Sequence, residues 1–324
     1  MGDLRVGIDV SPLELTEAGT ARYLRHLMGH LDGVELEEYV IPGSSRSAKV
    51  RRDLLWYLRT LPRKAARDGV DVLHCPGHRG PRRSRVPLVV TLHDLAVLRH
   101  PETFNRWTRE YSRVMLPRIV EGATRVISVS SFTASEAVEL LGVDSEKVRV
   151  VPHGVEPPFQ PEGQASTGEY ALAVGTIEPR KNLPRAVEAA QQAGIELRVV
   201  GPEGWGEVGV QSLGFVSDEV LAALYRGAQC LVYPSLYEGF GLPVLEAMAC
   251  GTPVVTSSFG ATAELGRGAA VLVDPYDVDA IAKGIEEARR RREELRAAGL
   301  ERAARYTWEE TARQTLEVYR EAAG

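Results

Sequence analysis

The chain has 324 residues, 44% of them apolar and 26% charged, with a net charge of −5, 31 glycines and 19 prolines. That length supports two cores at about 100 to 200 residues each, and the balance of apolar and charged residues excludes a disordered chain. Cys75, Cys230 and Cys250 each stand alone with no C-x-x-C pair, which excludes a disulfide framework and fits a reducing compartment.

Apolar, β-branched runs alternate with segments of helical period from end to end. Strands are predicted over 4–10, 35–41, 71–75, 87–93, 125–130 and 147–151, with helices over 19–31, 49–67, 106–121 and from 132 onward. Prolines and glycines then cluster over 152–168 with neither period, a linker. The alternation restarts with strands at 170–175, 195–201, 229–235, 252–257 and 269–273 and helices from 182, over 217–226 and over 241–250. A helical tail over 277–322 ends in a segment whose Trp308, Leu316 and Tyr319 can pack as a last helix. The pattern predicts an α/β fold of two Rossmann-like parallel-sheet domains facing across a cleft, with ligands beyond the strand C-termini.

The longest uncharged stretch, 247–263, is broken by Pro and Gly and carries several hydroxyls, so it does not form the span of about 20 apolar residues that a bilayer requires. Residues 3–10 are charged and alternating, with no apolar signal core, and the expected location is cytoplasmic. Residues 46–85 hold twelve Lys/Arg against three acids, +9 in a chain of net −5, which leaves −14 elsewhere. Within them 46–67 reads as a basic amphipathic helix, either a solvated helix face or a peripheral contact with the anionic inner face of a membrane. Nucleic acid is not an expected partner, because the whole chain is acidic and no aromatic stacking platform accompanies the basic segment.

The chemistry concentrates in 233–264, where Glu238 and Glu246 flank a Gly-Phe-Gly-Leu-Pro loop. Strand 229–235 presents Glu238 at its C-terminal edge, and the glycines let backbone amides approach an anion at the start of the next helix. A carboxylate at Glu246, inside that helix, can accept hydrogen bonds from vicinal hydroxyls of a sugar or ribose. Two such acids also suit general acid and base catalysis.

The segment SLYEGFGLPVLEAMACGTPVVTS resembles the E-x7-E signature of the retaining GT-B glycosyltransferases of family 4. VGTIEPRKNLPRAVEA, IDVSPLELTEAGTARYLRHL and VTLHDLAVLRHPETF resemble further elements of that family, the last of them its bacterial mannosyltransferases. The resemblance implies that Glu238 contacts the donor sugar's hydroxyls, that Glu246 binds the ribose, and that Phe240, Gly241 and Leu242 approach sugar and diphosphate through their amides. It implies that Arg180 and Lys181, beyond Gly175, neutralise the leaving diphosphate, as bond cleavage requires. Gly19 and Thr20 would form the first domain's loop toward the donor phosphates, with Ala21 where relatives carry a second glycine; His93 would lie near donor sugar or acceptor, and Gly214, Phe215 and Val216 near the base. An acceptor domain of 1–156 with the helix 308–324 and a donor domain of 157–307 follow.

The implied reaction is metal-independent, retaining transfer from a nucleotide diphosphate sugar, GDP-mannose or a UDP-sugar, to a saccharide, lipid-linked or small-molecule acceptor, the leaving phosphate taking the acceptor's proton. Alternatives are a non-catalytic sugar-nucleotide-binding protein and a sugar-nucleotide epimerase. No cofactor is expected: Asp277 and Asp279 spell D-x-D but open a late helix, where acids cap, and His74, Cys75 and His78 lack a fourth metal ligand.

Overall fold

The computed structural model describes residues 4–15, 19–41, 55–202 and 211–324. The chain divides into two units, Met1–His153 together with Trp308–Gly324, and Gly154–Thr307.

In the first unit, β1 (Leu4–Asp9), β2 (Val34–Tyr39), β3 (Val72–Cys75), β4 (Leu88–Leu92), β5 (Arg125–Ser128) and β6 (Val148–Val150) form one parallel sheet in the order β2-β1-β3-β4-β5-β6. Its helices are α1 (Ser11–Leu15), α2 (Gly19–His30), α3 (Leu61–Asp68), α4 (Ala96–Arg99), α5 (Arg106–Gly122) and α6 (Ser131–Leu141). Alternate strand residues go to opposite faces. Val6, Ile8, Val72 and Val89 pack with α2 and with Trp308, Val318 and Tyr319 of the C-terminal helix Trp308–Ala323. Leu73, Leu88, Val90 and Val126 pack on the other side with Leu61 of α3 and Leu116 of α5. Burial on both faces is why these strands read as continuous apolar runs. Asn105 and Ser130 start α5 and α6 by accepting from the backbone N–H groups of Thr108 and Thr133.

The second unit holds β7 (Tyr170–Val174), α7 (Leu183–Gln192), β8 (Glu196–Val200), α8 (Asp218–Gly227), β9 (Cys230–Tyr233), α9 (Leu242–Ala249), β10 (Val254–Ser257), α10 (Gly260–Gly266), β11 (Val271–Val273), α11 (Val278–Arg290) and α12 (Arg292–Ala303). The sheet is parallel, in the order β11-β10-β9-β7-β8. In each sheet the first strand lies between the second and the third, so the winding reverses there. Ligands bind beyond the strand C-termini at such a switch.

Two expectations change. Of the helix predicted over 49–67, residues 49–54 lie outside the described residues, as do residues 46–48 of the basic run; the remainder opens with a π-helical turn, Trp56–Thr60, before α3. Pro62 offers no N–H to the Leu58 carbonyl, and the preceding turn widens, Leu61 N–H reaching back to Trp56 O. The short helices α1, α4 and α10 were not foreseen, since four to seven residues are too few to display a helical period.

Candidate active site

In the second unit the switch lies between β7 and β9, where Ala171 pairs with Cys230 and Leu172 with Leu231. Beyond β7 the chain passes Gly175 and a 3-10 turn, Pro179–Lys181. Asn182 closes that turn at φ 58, and its Nδ2 donates to the carbonyls of Pro234 at 3.0 Å and Pro275 at 2.6 Å. Asparagine tolerates this left-handed geometry, and its amide ties the turn to the segments after β9 and β11. Beyond β9, Gly241 at φ 104 opens α9 with no side-chain cap; Pro243 has no N–H and Val244 N–H bonds Gly241 O, so Leu242 carries the helix's first available amide. A Cβ at Gly241 would lie 3.0 Å from Thr262 Cγ2, which with the positive φ makes glycine the fitting residue.

These two loops meet at Glu238. Its Oε1 accepts from Lys181 Nζ at 2.7 Å, Tyr233 OH at 2.8 Å and Ser235 Oγ at 2.6 Å, and its Oε2 from Arg180 Nη1 at 3.1 Å. Lys181 also donates to Tyr233 OH at 2.6 Å, while Arg180 donates to Tyr237 O at 2.9 Å and pairs with Glu178 Oε1 at 2.6 Å. Burial alone would raise the Glu238 carboxyl, but the charges of Lys181 and Arg180, with the hydrogen bonds from Lys181 and Ser235, outweigh it and hold the group at about 2. Glu238 is therefore ionised throughout the neutral range, an acceptor for hydroxyl groups and not a proton donor. That removes half of the acid-and-base reading of the glutamate pair. Burial and the Glu238 charge push the Tyr233 phenol well above its ordinary range, so it stays protonated and donates.

Glu246 lies on α9 but is only 2% exposed, and Tyr225 OH donates to its Oε2 at 3.1 Å. Phe240 and Gly241 are buried, and Leu242 is half-buried at the first position of α9. Gly214 accepts from Gly201 N–H at 3.0 Å, and the backbone of Gly201 abuts Gly175, where a Cβ would fall 2.0 Å from Gly175 O. A Cβ at Gly175 would in turn meet Lys181 Cε at 3.2 Å. The edge of the second sheet thus gathers Gly175, Lys181, Glu238 and Gly214. Val216 is half-buried, whereas Phe215 is 78% exposed.

His93, Gly19 and Thr20 belong to the first unit. His93 follows β4; its Nε2 is 3.1 Å from Pro76 O and its Nδ1 is 3.3 Å from His153 Nε2. A carbonyl only accepts, so Nε2 carries the proton of the neutral ring and Nδ1 accepts from His153. Burial lowers His93 to about 4. Both ring nitrogens are engaged within the unit, and Tyr23 stands edge-on to the ring at 4.8 Å. Asp94 accepts from Ala96 N–H at 3.0 Å, capping the turn that leads into α4. Gly19 is exposed at the start of α2 with open space where a Cβ would stand, so neither packing nor φ demands glycine there. Thr20 lies within reach of Gly77, and Ala21 is fully buried. His74 bonds Tyr319 OH through Nδ1 at 2.7 Å and Thr91 Oγ1 through Nε2 at 2.8 Å. Among the described residues no group of three His, Cys, Asp or Glu side chains is placed to hold a metal, and Asp277 caps α11 by accepting from Asp279 and Ala280 N–H.

The family described as Glycosyl transferases group 1 matches residues 156–305, and the Glycosyltransferase Family 4 description matches residues 13–158. O-antigen chain mannosyltransferase B of Escherichia coli is 32% identical over 294 residues, 79% of this chain and 76% of that protein. The chain belongs to glycosyltransferase family 4. This glycosyltransferase is also 34% identical over 276 residues to the MMP alpha-(1->4)-mannosyltransferase of Mycolicibacterium hassiacum, 73% of this chain and 66% of that one. Its fold is that of sucrose-phosphate synthase from Thermosynechococcus elongatus, with a TM-score of 0.78 at 20% identity over 98% of each chain. Anabaena HepE, solved in complex with UDP-glucose, matches with a TM-score of 0.71 at 17% identity over 97% of this chain and 98% of that one. Both are GT-B structures.

Three residues of the glycosyltransferase's carboxylate cluster, Glu178, Tyr233 and Ser235, and Asn182 of the turn that supports it escaped the sequence reading. Tyr233 and Ser235 sit in the quoted run before Glu238, and Glu178 and Asn182 flank the Arg-Lys pair, so proximity to the motifs was the available signal. Nothing in the sequence marks Tyr225 as the partner of Glu246, since the two helices that carry them meet there only through packing.

Proposed function

We propose that this glycosyltransferase transfers a mannosyl group from a nucleotide diphosphate sugar to a hydroxyl of a saccharide acceptor, with retention at the anomeric carbon and without a metal ion. The observation that carries the reading is the buried carboxylate of Glu238, held ionised by Lys181 and Arg180 beside the uncapped start of α9. Two relatives are named mannosyltransferases, which favours mannose over other hexoses. The base is guanine or uracil, the latter being the one in HepE's complexes.

In this mechanism the second unit takes the donor and the first unit the acceptor. Glu238 accepts hydrogen bonds from the donor sugar's hydroxyls and fixes its orientation. Lys181, Arg180 and the Gly241 and Leu242 amides stabilise the negative charge that grows on the diphosphate oxygen as its bond to the anomeric carbon breaks. The acceptor oxygen bonds to that carbon on the same face, and its proton passes to the departing phosphate oxygen. Protein cations thereby supply the charge that a divalent ion would otherwise bring. His93 enters as a neutral imidazole near the donor sugar or acceptor and not as a cation.

The test uses GDP-mannose and UDP-sugars with saccharide acceptors, NMR of the product's anomeric signal, and EDTA in parallel. Expected are transfer with unchanged anomeric configuration, activity insensitive to EDTA, and a loss in kcat of about 100-fold or more in Glu238→Ala with nucleotide diphosphate binding largely kept. An inverted product, dependence on added Mn²⁺, or wild-type turnover in Glu238→Ala would each defeat the part of the mechanism it addresses.

A further inference from the structure

We infer that the first unit carries a second anion site, an arginine-lined cavity for a phosphate group borne on an apolar body, along the exposed face of the π-turn and α3. The cavity, about 620 Å³ and open to solvent, lies along one face of the π-turn and α3 and is bordered by the segment entering β4; its five arginines are exposed. Arg59, Arg63, Arg67, Arg83 and Arg85 surround it, Ser84 adds a hydroxyl, and Leu58, Pro62 and Ala66 form an apolar strip at successive helical turns. A volume of this size accommodates a small-molecule ligand.

What sets this cluster apart is five arginines lining one concavity. Elsewhere some helical arginines meet carboxylates one turn away, as Arg291 does with Glu287 and Glu294 and Arg313 with Glu310 and Glu317, others bond backbone carbonyls, as Arg292 and Arg302 do, and Arg25, Arg106 and Arg320 stand without either among the described residues. On α3 itself Lys64, facing away from the cavity, has Glu37, Asp68 and the face of Tyr39. Around the cavity only Arg67 has an acid, the adjacent Asp68; Arg59, Arg63, Arg83 and Arg85 have no carboxylate or carbonyl partner among the described residues. Uncompensated guanidinium groups converging on one concavity repel each other, and a phosphate, which they bind bidentately, relieves that repulsion.

The location assigns the role. β3 and β4 are parallel, with Leu73 opposite Leu88, so the end of α3 and the entry to β4 lie together at the N-terminal edge of the sheet. His93 follows the other end of β4, and the strand's five residues separate the two ends by roughly 16 Å. Arg67 and Arg83–Arg85 lie toward the edge remote from His93, whereas Leu58 and Arg59 adjoin Tyr57, whose hydroxyl donates to Asp9 Oδ2 at the C-terminal end of β1. A phosphate held between Arg67 and Arg83 anchors or modulates the enzyme and is not the reacting group. An anionic lipid headgroup and a soluble phosphate ester share the required chemistry.

Hydrogen–deuterium exchange on the full chain tests this with two probes, each against chloride at matched ionic strength: inorganic pyrophosphate, and phosphatidylcholine vesicles containing about 30% phosphatidylglycerol. Slowed exchange over 55–68 and 82–88 is expected with at least one. Protection by pyrophosphate indicates a soluble phosphate ligand, and protection by vesicles alone a lipid headgroup. Arg63→Glu combined with Arg85→Glu, at two exposed positions without partners among the described residues, should weaken that binding by at least about tenfold while the melting temperature stays unchanged. Arg59→Ala combined with Arg83→Ala should weaken it in the same direction, independently of charge reversal. No protection with either probe, or protection that persists in both double variants, overturns the inference. Protection over 175–185 and 235–245 reports on the Glu238 cluster separately, so the two readings fail independently.

Discussion

Replacing Lys181 by Met keeps the side chain's length and removes its charge. The Glu238 carboxyl lies at about 2 against an ordinary 4.5. At about 1.4 kcal/mol for each pH unit, that depression is worth about 3 kcal/mol of stability to the ionised form. Because the folded value lies below the unfolded one, this contribution is complete above pH 4.5 and is lost as the pH falls toward 2. In Lys181→Met, Arg180 alone opposes burial, and the carboxyl moves up toward or past its ordinary value. The substitution should therefore destabilise the chain by about 2 to 4 kcal/mol at pH 7, within the range for breaking a buried pair, and by progressively less on acidification. Chemical denaturation of both proteins between pH 7 and pH 3 measures it. A cycle with Glu238→Gln isolates the pair, since Lys181→Met should cost far less in that background. If the destabilisation is equal at pH 7 and pH 3, or undiminished in the Glu238→Gln background, the charge coupling inferred from the 2.7 Å contact is wrong.

Asp277→Ala should cost about 1 kcal/mol through loss of the α11 cap and leave transfer activity unchanged, measured by melting and by product formation; a collapse of activity would reinstate a metal role for that acid. His93, at about 4, should remain a neutral Nε2-protonated ring down to about pH 5 in ¹⁵N-detected imidazole spectra, and a midpoint above 6 would contradict the burial argument. Tyr319→Phe removes the hydroxyl on buried His74 Nδ1 and should lower stability by about 1 to 3 kcal/mol; an unchanged melt would mean that the bond contributes nothing to docking the C-terminal helix.

Much of this protein was legible before folding because the signals are local. Strand and helix periods repeat within about ten residues, so both βα arrays, the break over 152–168 and the positions of Glu238, Arg180 and Lys181 at strand ends could be read directly. The curated relatives and family matches agree with that reading at the level of family and activity. Less legible was every property that depends on which elements become neighbours. The short helices and the π-turn ahead of Pro62 have too little periodicity of their own to announce themselves.

The sequence by itself determined the fold class and the residue types of the site, because backbone preference and apolar spacing act over short distances. Tertiary structure alone decided that β7 lies beside β9 although β8 intervenes in the chain, and so brought Lys181 and Arg180 onto Glu238. It also buried Glu246 beneath Tyr225, enclosed His93 between Pro76 and His153, and set the C-terminal helix against the first sheet. Charge state belongs to that second group for a physical reason: it is set by burial and by charges a few ångströms away, and those distances exist only once the sheet has formed.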